Sequence, residues 1–105
     1  MSDETKIVDG RMYRYIDVNQ SVIREEDNGI TKASEIAVYC AIAMYADNRT
    51  RQAYPSITTI ANKARVSERT VRTSVKQLEK SGYIRISKKK NPKGQPKNVY
   101  TLLDR

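Results

Sequence analysis

The chain has 105 residues, of which 38% are apolar and 30% are charged, so its size and composition fit one small folded domain. Histidine is absent and Cys40 is the only cysteine, which excludes an internal disulfide and a Cys-based zinc cluster and fits a reducing compartment. The longest apolar run, residues 36–46, is shorter than the ~18 residues of a membrane span, and the polar start MSDETK is not a secretory signal.

The net charge of +8 is distributed unevenly along the chain. Residues 1–48 hold five Lys or Arg and nine Asp or Glu, whereas residues 49–105 hold fifteen and three. A chain divided in this way has one end suited to a polyanion. Nucleic acid is the first candidate partner and an anionic membrane surface the second, and the alternative is that the charge serves solubility alone.

The N-terminal region is the least regular part of the sequence. Residues 1–11 are polar and are predicted to be flexible, and residues 12–105 are predicted to form a single domain. Partial alternation over residues 12–18 predicts a short strand. The acidic trio Glu25, Glu26 and Asp27 could hold Mg²⁺, but such a cluster is more often a solvated turn.

The first long helix is predicted over residues 31–47, with Thr31 or Ser34 as its N-cap. Residues 36–46 are apolar on every side of this helix, so it needs cover all round. The core can cover one side, and the N-terminal segment, a second subunit or both are expected to cover the other. Cys40 lies in this stretch and is predicted to pack in the core.

Two shorter helices follow, joined by a tight turn. Ser56 is predicted to cap a helix that ends near Ala64, and Ser67 to cap a second helix over residues 68–81. Gly82 is placed to stop the second helix as its C′ glycine. Two helices joined by a three-residue turn form a helix-turn-helix pattern.

The second of these helices, residues 67–81 with its cap, has two contrasting faces. Apolar positions gather around Val71, and the opposite face is predicted to carry no carboxylate. That face, called the cationic face below, consists of Arg69, Arg72, Thr73, Lys76 and Lys80. Arginine suits guanine edges, and lysine and threonine suit phosphates or bases. An ordinary solvated face is the alternative, but its place in a helix-turn-helix favours contact with DNA.

A β-hairpin is predicted at the end of the chain, with strands over residues 83–87 and 99–103. Tyr100 and Leu102 are expected to face inward. Between the strands lies a basic, irregular loop, and residues 87–98 are called the wing. Its five lysines are expected at the tip, as phosphate contacts: Lys88, Lys89, Lys90, Lys93 and Lys97. The predicted fold class is therefore α+β, a winged helix-turn-helix of three helices with a hairpin wing and a short N-terminal strand.

The stretch from residue 52 to 86, QAYPSITTIANKARVSERTVRTSVKQLEKSGYIRI, closely resembles the winged helix-turn-helix domains of phage and plasmid replication proteins and small DNA-binding regulators. The resemblance extends over about residues 13–103. It implies double-stranded DNA as the partner, a prokaryotic cytoplasm or nucleoid as the location, and DNA contacts from six residues of the recognition helix. These residues are Ser67, Arg69, Thr70, Arg72, Thr73 and Lys76.

The resemblance leaves the biological role open. Many replication initiators carry further domains after such a module, and here the second wing strand lies at the end of the sequence. A transcriptional regulator or a replication or plasmid-maintenance factor is therefore expected. The N-terminal half is expected to form a homodimer through helix 31–47.

Other function classes find less support in the sequence. No constellation of catalytic residues is present, so the protein is expected not to be an enzyme and to need no cofactor or metal. Base stacking on tyrosines is a weaker possibility, because Tyr39, Tyr45, Tyr83 and Tyr100 look structural. A protein–protein module that docks an acidic partner, and RNA binding, are the alternatives to DNA binding.

Overall fold

The computed structural model describes residues 18–24 and 29–103 of the chain. The predicted flexible segment 1–11 and the acidic trio at positions 25–27 lie outside the described residues. Of the predicted strand 12–18 only Val18 is described, and its backbone is irregular.

Four helices are described, one more than the sequence predicts. They are α1 (Ser21–Arg24), α2 (Ala33–Met44), α3 (Ile57–Ala64) and α4 (Glu68–Lys80). The single turn α1 was not predicted, because a stretch this short and polar carries little helical periodicity. It nevertheless matters to the fold, since Val22 is buried in the core and the Ser21 hydroxyl lies 2.8 Å from the Tyr83 hydroxyl.

The start of α2 differs from the prediction that Thr31 or Ser34 caps it. Lys32 is the N-cap residue, and the buried Glu35 reaches back along the helix. The Glu35 Oε1 accepts hydrogen bonds from the backbone N–H of Thr31 at 2.9 Å and of Lys32 at 3.1 Å. A carboxylate in the first turn also favours the positive end of the helix dipole, so one acidic side chain replaces a hydroxyl cap.

The turn between α3 and α4 follows the sequence prediction closely. Ser56 and Ser67 accept hydrogen bonds from the backbone N–H groups of Thr59 and Thr70, both at 3.1 Å. Arg65 closes α3 in the left-handed region with φ of 64°. The three residues 65–67 therefore redirect the chain within the length that a helix-turn-helix requires.

Gly82 ends α4 as predicted. Its φ of 86° is in the left-handed region, where glycine is unstrained. The N–H of Tyr83 donates to the Leu78 carbonyl at 3.0 Å and that of Gly82 to the Glu79 carbonyl at 3.1 Å. This pair of bonds is a Schellman motif, which satisfies carbonyls that the helix end leaves open.

The sheet is antiparallel, with the order β1-β3-β2. Its strands are β1 (Gln52–Ala53), β2 (Ile84–Lys90) and β3 (Pro96–Leu102). The predicted strands 83–87 and 99–103 are therefore too short on the wing side, because pairing continues to Lys90 opposite Pro96. Asn91 makes the tight tip possible, since its Oδ1 accepts from the N–H groups of Lys93 and Gln95, both at 2.9 Å.

The core lies between the helices and the inner half of the hairpin. Tyr39, Tyr83 and Tyr100 are fully buried, and the rings of Tyr39 and Tyr83 meet edge to face with centroids 6.1 Å apart. Tyr100 and Leu102 face inward as predicted. Tyr45, predicted to be structural, is instead 39% exposed.

The described residues cover only part of the apolar helix α2. Tyr39 and Ile42 are fully buried, and the N–H of Asn19 donates to the Tyr39 hydroxyl at 3.3 Å, so α1 and its lead-in pack against α2. Cys40 is only half-buried, which corrects its prediction as a core residue, and Met44 is 46% exposed. The described residues form an α+β winged helix-turn-helix, with one side of α2 open.

Candidate nucleic-acid interface

The two faces of α4 are separated as the sequence predicts. Val71, Ser74, Val75 and Leu78 are buried against the core. The five residues of the cationic face are all exposed. A helix whose one side is fully occupied by the core can present the other side only outward, so the packing of α4 fixes where these cations point.

Ser67 and Thr70 have a local role at the start of α4 in addition to their predicted DNA contact. The Ser67 Oγ accepts from the Thr70 N–H and donates to the Thr70 Oγ1 at 2.9 Å. Thr73 likewise donates its hydroxyl to the Arg69 carbonyl at 3.2 Å. These hydroxyls are therefore held in fixed directions before any partner arrives.

Arg72 is not on a carboxylate-free face, which corrects the sequence prediction. Its guanidinium lies 3.5 Å from the Glu68 Oε1, and both side chains are about half exposed. The other oxygen of Glu68 accepts from the Thr58 hydroxyl at 2.8 Å, which joins α3 to α4. An exposed i,i+4 pair contributes only about 0.3–0.5 kcal/mol, so Arg72 can exchange this partner for a stronger one.

The start of α2 lies alongside α4 and extends the interface in a way the sequence did not reveal. Thr31, Lys32 and Glu35 form one wall of a cleft of about 530 Å³, and the cationic face with Gln77 forms the other. Lys32 adds a cation from the acidic half of the chain. The net negative charge of residues 1–48 concealed the contribution of Lys32. The packing of α2 on α4 places this lysine beside the cationic face.

The wing lysines are distributed differently from the single tip that the sequence predicts. Lys88, Lys89 and Lys90 lie in β2 and Lys97 in β3, and only Lys93 lies in the turn between them. Side chains alternate between the two faces of a strand. The register therefore puts Lys88 and Lys90 on the face that carries the core residues Ile84 and Ile86, and Lys89 opposite Lys97 on the other face.

An exposed tyrosine joins this second face of the wing. The Nζ of Lys97 is 5.3 Å and that of Lys89 is 6.0 Å from the centroid of the Tyr54 ring. Tyr54 is 42% exposed and immediately precedes the buried Pro55. Neither its exposure nor its contact with the wing is visible in the sequence, because the ring and the lysines are more than thirty residues apart along the chain.

Burial shifts the pKa of three described side chains away from this interface. Burial raises the pKa of the Cys40 thiol, which disfavours the reactive thiolate. Burial also raises the pKa of Tyr39 and of Tyr100, against opposing hydrogen bonds from Asn19 and Asn98. Within residues 18–24 and 29–103, no three His, Cys, Asp or Glu side chains gather as metal ligands, and no helix is long and apolar enough to cross a membrane.

Comparison with known protein families matches residues 32–84 to the family described as "Helix-turn-helix domain". The match begins at the N-cap of α2, includes α3 and α4, and ends at the first residue of β2. No curated protein and no solved structure matched the chain.

Proposed function

This chain belongs to the helix-turn-helix domain family, and from that premise we propose that it binds double-stranded DNA with a preference for particular sequences. In this proposal α4 enters the major groove and the wing lies on neighbouring phosphates. The protein acts by binding alone, without a catalytic step, a cofactor or a metal.

The observation that carries the proposal is the cationic face of α4. Four Lys or Arg side chains project from one side of a 13-residue helix whose other side is buried. Such a helix is about 20 Å long, and the major groove, about 12 Å wide, admits it side-on. Arg69 and Arg72 can read guanine edges there, while Lys76 and Lys80 suit phosphates.

The wing and the start of α2 flank α4 and extend the charge beyond one groove. We propose that the predicted wing lysines contact phosphates from three directions, with Lys93 at the tip and the others on the two faces of the ribbon. Lys32 adds a phosphate contact from the start of α2, in the cleft that it shares with Arg69.

A titration against salt tests the proposal. Labelled duplex DNA, single-stranded DNA and duplex RNA are each titrated with the protein between about 50 and 200 mM salt. Tightest binding to duplex DNA with a steep salt dependence supports it. Preference for duplex RNA favours shape recognition in the shallow groove instead, and weak binding to all three favours docking of an acidic protein partner.

The cellular role is proposed on the resemblance of residues 52–86 to domains of mobile genetic elements. We propose a small transcriptional regulator or a replication or plasmid-maintenance factor, located at the nucleoid of a prokaryotic cell. Selection of bound sequences from a random duplex pool identifies the target site. A two-fold symmetric site would indicate that two copies bind together.

We propose that the open side of α2 forms a homodimer. Ile23, Met44 and Tyr45 are the exposed large apolar side chains of the described N-terminal half. A two-fold partner would cover them and present two copies of α4 to half-sites about 10 bp apart or a multiple of that. A charge at the buried Tyr39 or Ile42 would unfold the domain, whereas Met44 is exposed, so Met44→Glu is the appropriate probe of the interface. It should convert a dimer to a folded monomer in sedimentation, and a monomeric wild-type protein with and without DNA would refute the dimer.

A further inference from the structure

The outer half of the wing carries a pair of like charges that a hairpin normally avoids. Lys89 and Lys97 occupy directly opposite positions in the ladder. Directly opposed like charges destabilise a strand pair. Both side chains are exposed, so each ammonium could turn away into water at little cost, and neither does.

The ring of Tyr54 accounts for their arrangement. Both ammonium groups lie within cation–π range of this one ring, at 5.3 and 6.0 Å from its centroid. The negative π face of the ring offsets part of their mutual repulsion. The register already places the two cations on one face of the wing, and the ring holds their ammonium groups close together there.

The backbone of Tyr54 is held on both sides by regular structure, so the ring is attached to a firm support. Tyr54 directly follows β1, which pairs with β3, and it precedes Ser56, the N-cap of α3. Its hydroxyl donates to the Gln52 Oε1 at 3.0 Å. The ring therefore moves together with the helix-turn-helix. Lysines that contact the ring are held in position relative to the helices and do not follow the free end of the hairpin.

We propose that Tyr54 is a positioning residue for the wing, which holds Lys89 and Lys97 beside the start of α3 so that they meet DNA phosphates without a further loss of side-chain freedom. This inference rests on the proposed DNA binding. Pre-ordered side chains cost less entropy on binding, so the contribution of Tyr54 appears as affinity for every duplex sequence. Each ammonium keeps N–H donors directed away from the ring, which remain free for phosphate oxygens.

A cleft of about 440 Å³ between the start of α3 and the outer wing gives these donors room to act. Tyr54 and Ser56 line one side, and Lys97 and Asn98 line the other. The cleft is open to solvent, as a site for a passing sugar–phosphate strand must be. A wing that swung freely would widen or close it.

The first measurement uses the free protein, so that it does not depend on DNA binding. Protons held over an aromatic face show upfield NMR shifts, and the ε-methylene protons of Lys89 and Lys97 report this contact. The variants are Tyr54→Leu, which removes the ring, and Tyr54→Phe, which keeps it. Tyr45→Leu, at a similarly exposed tyrosine in the N-terminal half, is the matched control for the NMR measurement alone, because Tyr45 belongs to the proposed dimer surface.

Tyr54→Leu should abolish the upfield shifts, whereas Tyr54→Phe and the control should preserve them. Tyr54→Leu should also weaken binding to all duplexes about threefold, with Tyr54→Phe close to wild type. Circular dichroism confirms that each variant is folded.

Three results would overturn the inference. Unchanged lysine shifts in Tyr54→Leu would mean that the ring does not hold the lysines. Tighter DNA binding by Tyr54→Leu would mean that the ring sequesters them. An equal loss of affinity in Tyr54→Phe, with the lysine shifts preserved, would mean that the hydroxyl contacts DNA directly. If the wild-type protein binds no duplex, the proposed function fails, while the shifts in the free protein still show whether Tyr54 orders the wing.

Discussion

Replacing Arg72 with alanine is expected to weaken binding mainly on the preferred DNA site. A bidentate contact from Arg to guanine contributes about 1–3 kcal/mol of discrimination, which is about five- to 150-fold in affinity. Arg72 must first leave Glu68, 3.5 Å away, and this costs roughly 0.3–0.5 kcal/mol, or about twofold. The loss of affinity of Arg72→Ala for the preferred site should therefore be somewhat less than the maximum of about 150-fold.

The assay is competition binding with the preferred duplex and its single-base variants at fixed salt. Arg72→Ala should flatten the preference at one base position and weaken nonspecific binding only slightly. Lys63→Ala, an exposed cation on α3 outside the cationic face, is the control for the loss of one positive charge. If Arg72→Ala weakens all sequences equally, Arg72 contacts a phosphate and its assignment to base reading is wrong.

Three further changes probe the wing, the contact of Gly29 with the end of α4, and a turn. Alanine at all three lysines of positions 88–90 should reduce the log–log salt slope by up to about 0.9 for each phosphate that is no longer neutralised, in every duplex, and an unchanged slope would mean that they only solvate the wing. Gly29→Ala should destabilise the fold by more than the ~1–2 kcal/mol of a left-handed backbone, because its Cβ would meet the Ser81 hydroxyl. Gly94→Ala, also at positive φ but in open space, is its control in urea unfolding, and equal destabilisation would exclude a packing role for Gly29. Two backbone hydrogen bonds from Arg49 and Thr50 lower the pKa of Asp47. The ionised Asp47 therefore stabilises the fold at pH values above the ordinary carboxyl pKa of about 4, and this stabilisation is lost as pH falls through the lowered pKa. Asp47→Asn keeps the acceptor at every pH and should flatten that part of the Tm–pH curve, and an unaltered curve would contradict this account.

The parts of the fold that could be predicted from sequence are those fixed by local chemistry. Ser56, Ser67 and Gly82 each satisfy backbone groups within a few residues of themselves, so their roles follow from position along the chain. The division of α4 into two faces follows from its helical period alone. The family match supports the same region, residues 32–84.

The parts that could not be predicted depend on distant contacts or on competition between similar options. The cap of α2 was assigned to a hydroxyl because hydroxyls are the usual caps, whereas the buried Glu35 satisfies the same N–H groups. The wing strands were predicted to end early because consecutive lysines and prolines have low strand propensity. Pairing across the hairpin and the Asn91 turn outweigh that propensity.

The candidate interface likewise contains features that could be predicted from the sequence and others that could not. The cations of α4 and the wing are visible in the sequence, but their partners are not. The cationic face was predicted to carry no carboxylate, although one turn of helix brings Glu68 to Arg72. Lys32 and Tyr54 join the interface only through packing between elements that are far apart along the chain.

Because β1 is much shorter than β2 and β3, the hairpin is supported by a third strand at its base and not at its tip. β1 supports β3 only at Tyr100 and Thr101, and the ladder from Val99 to Pro96 is a ribbon of two strands. Bending stiffness falls where the third strand stops and again beyond the Tyr54 contact with Lys89 and Lys97, so a load on the tip flexes the turn around Lys93 and leaves the base of the hairpin in place. In the proposed complex with duplex DNA, the tip can thus follow a groove whose width varies, while α4 keeps its depth and its register.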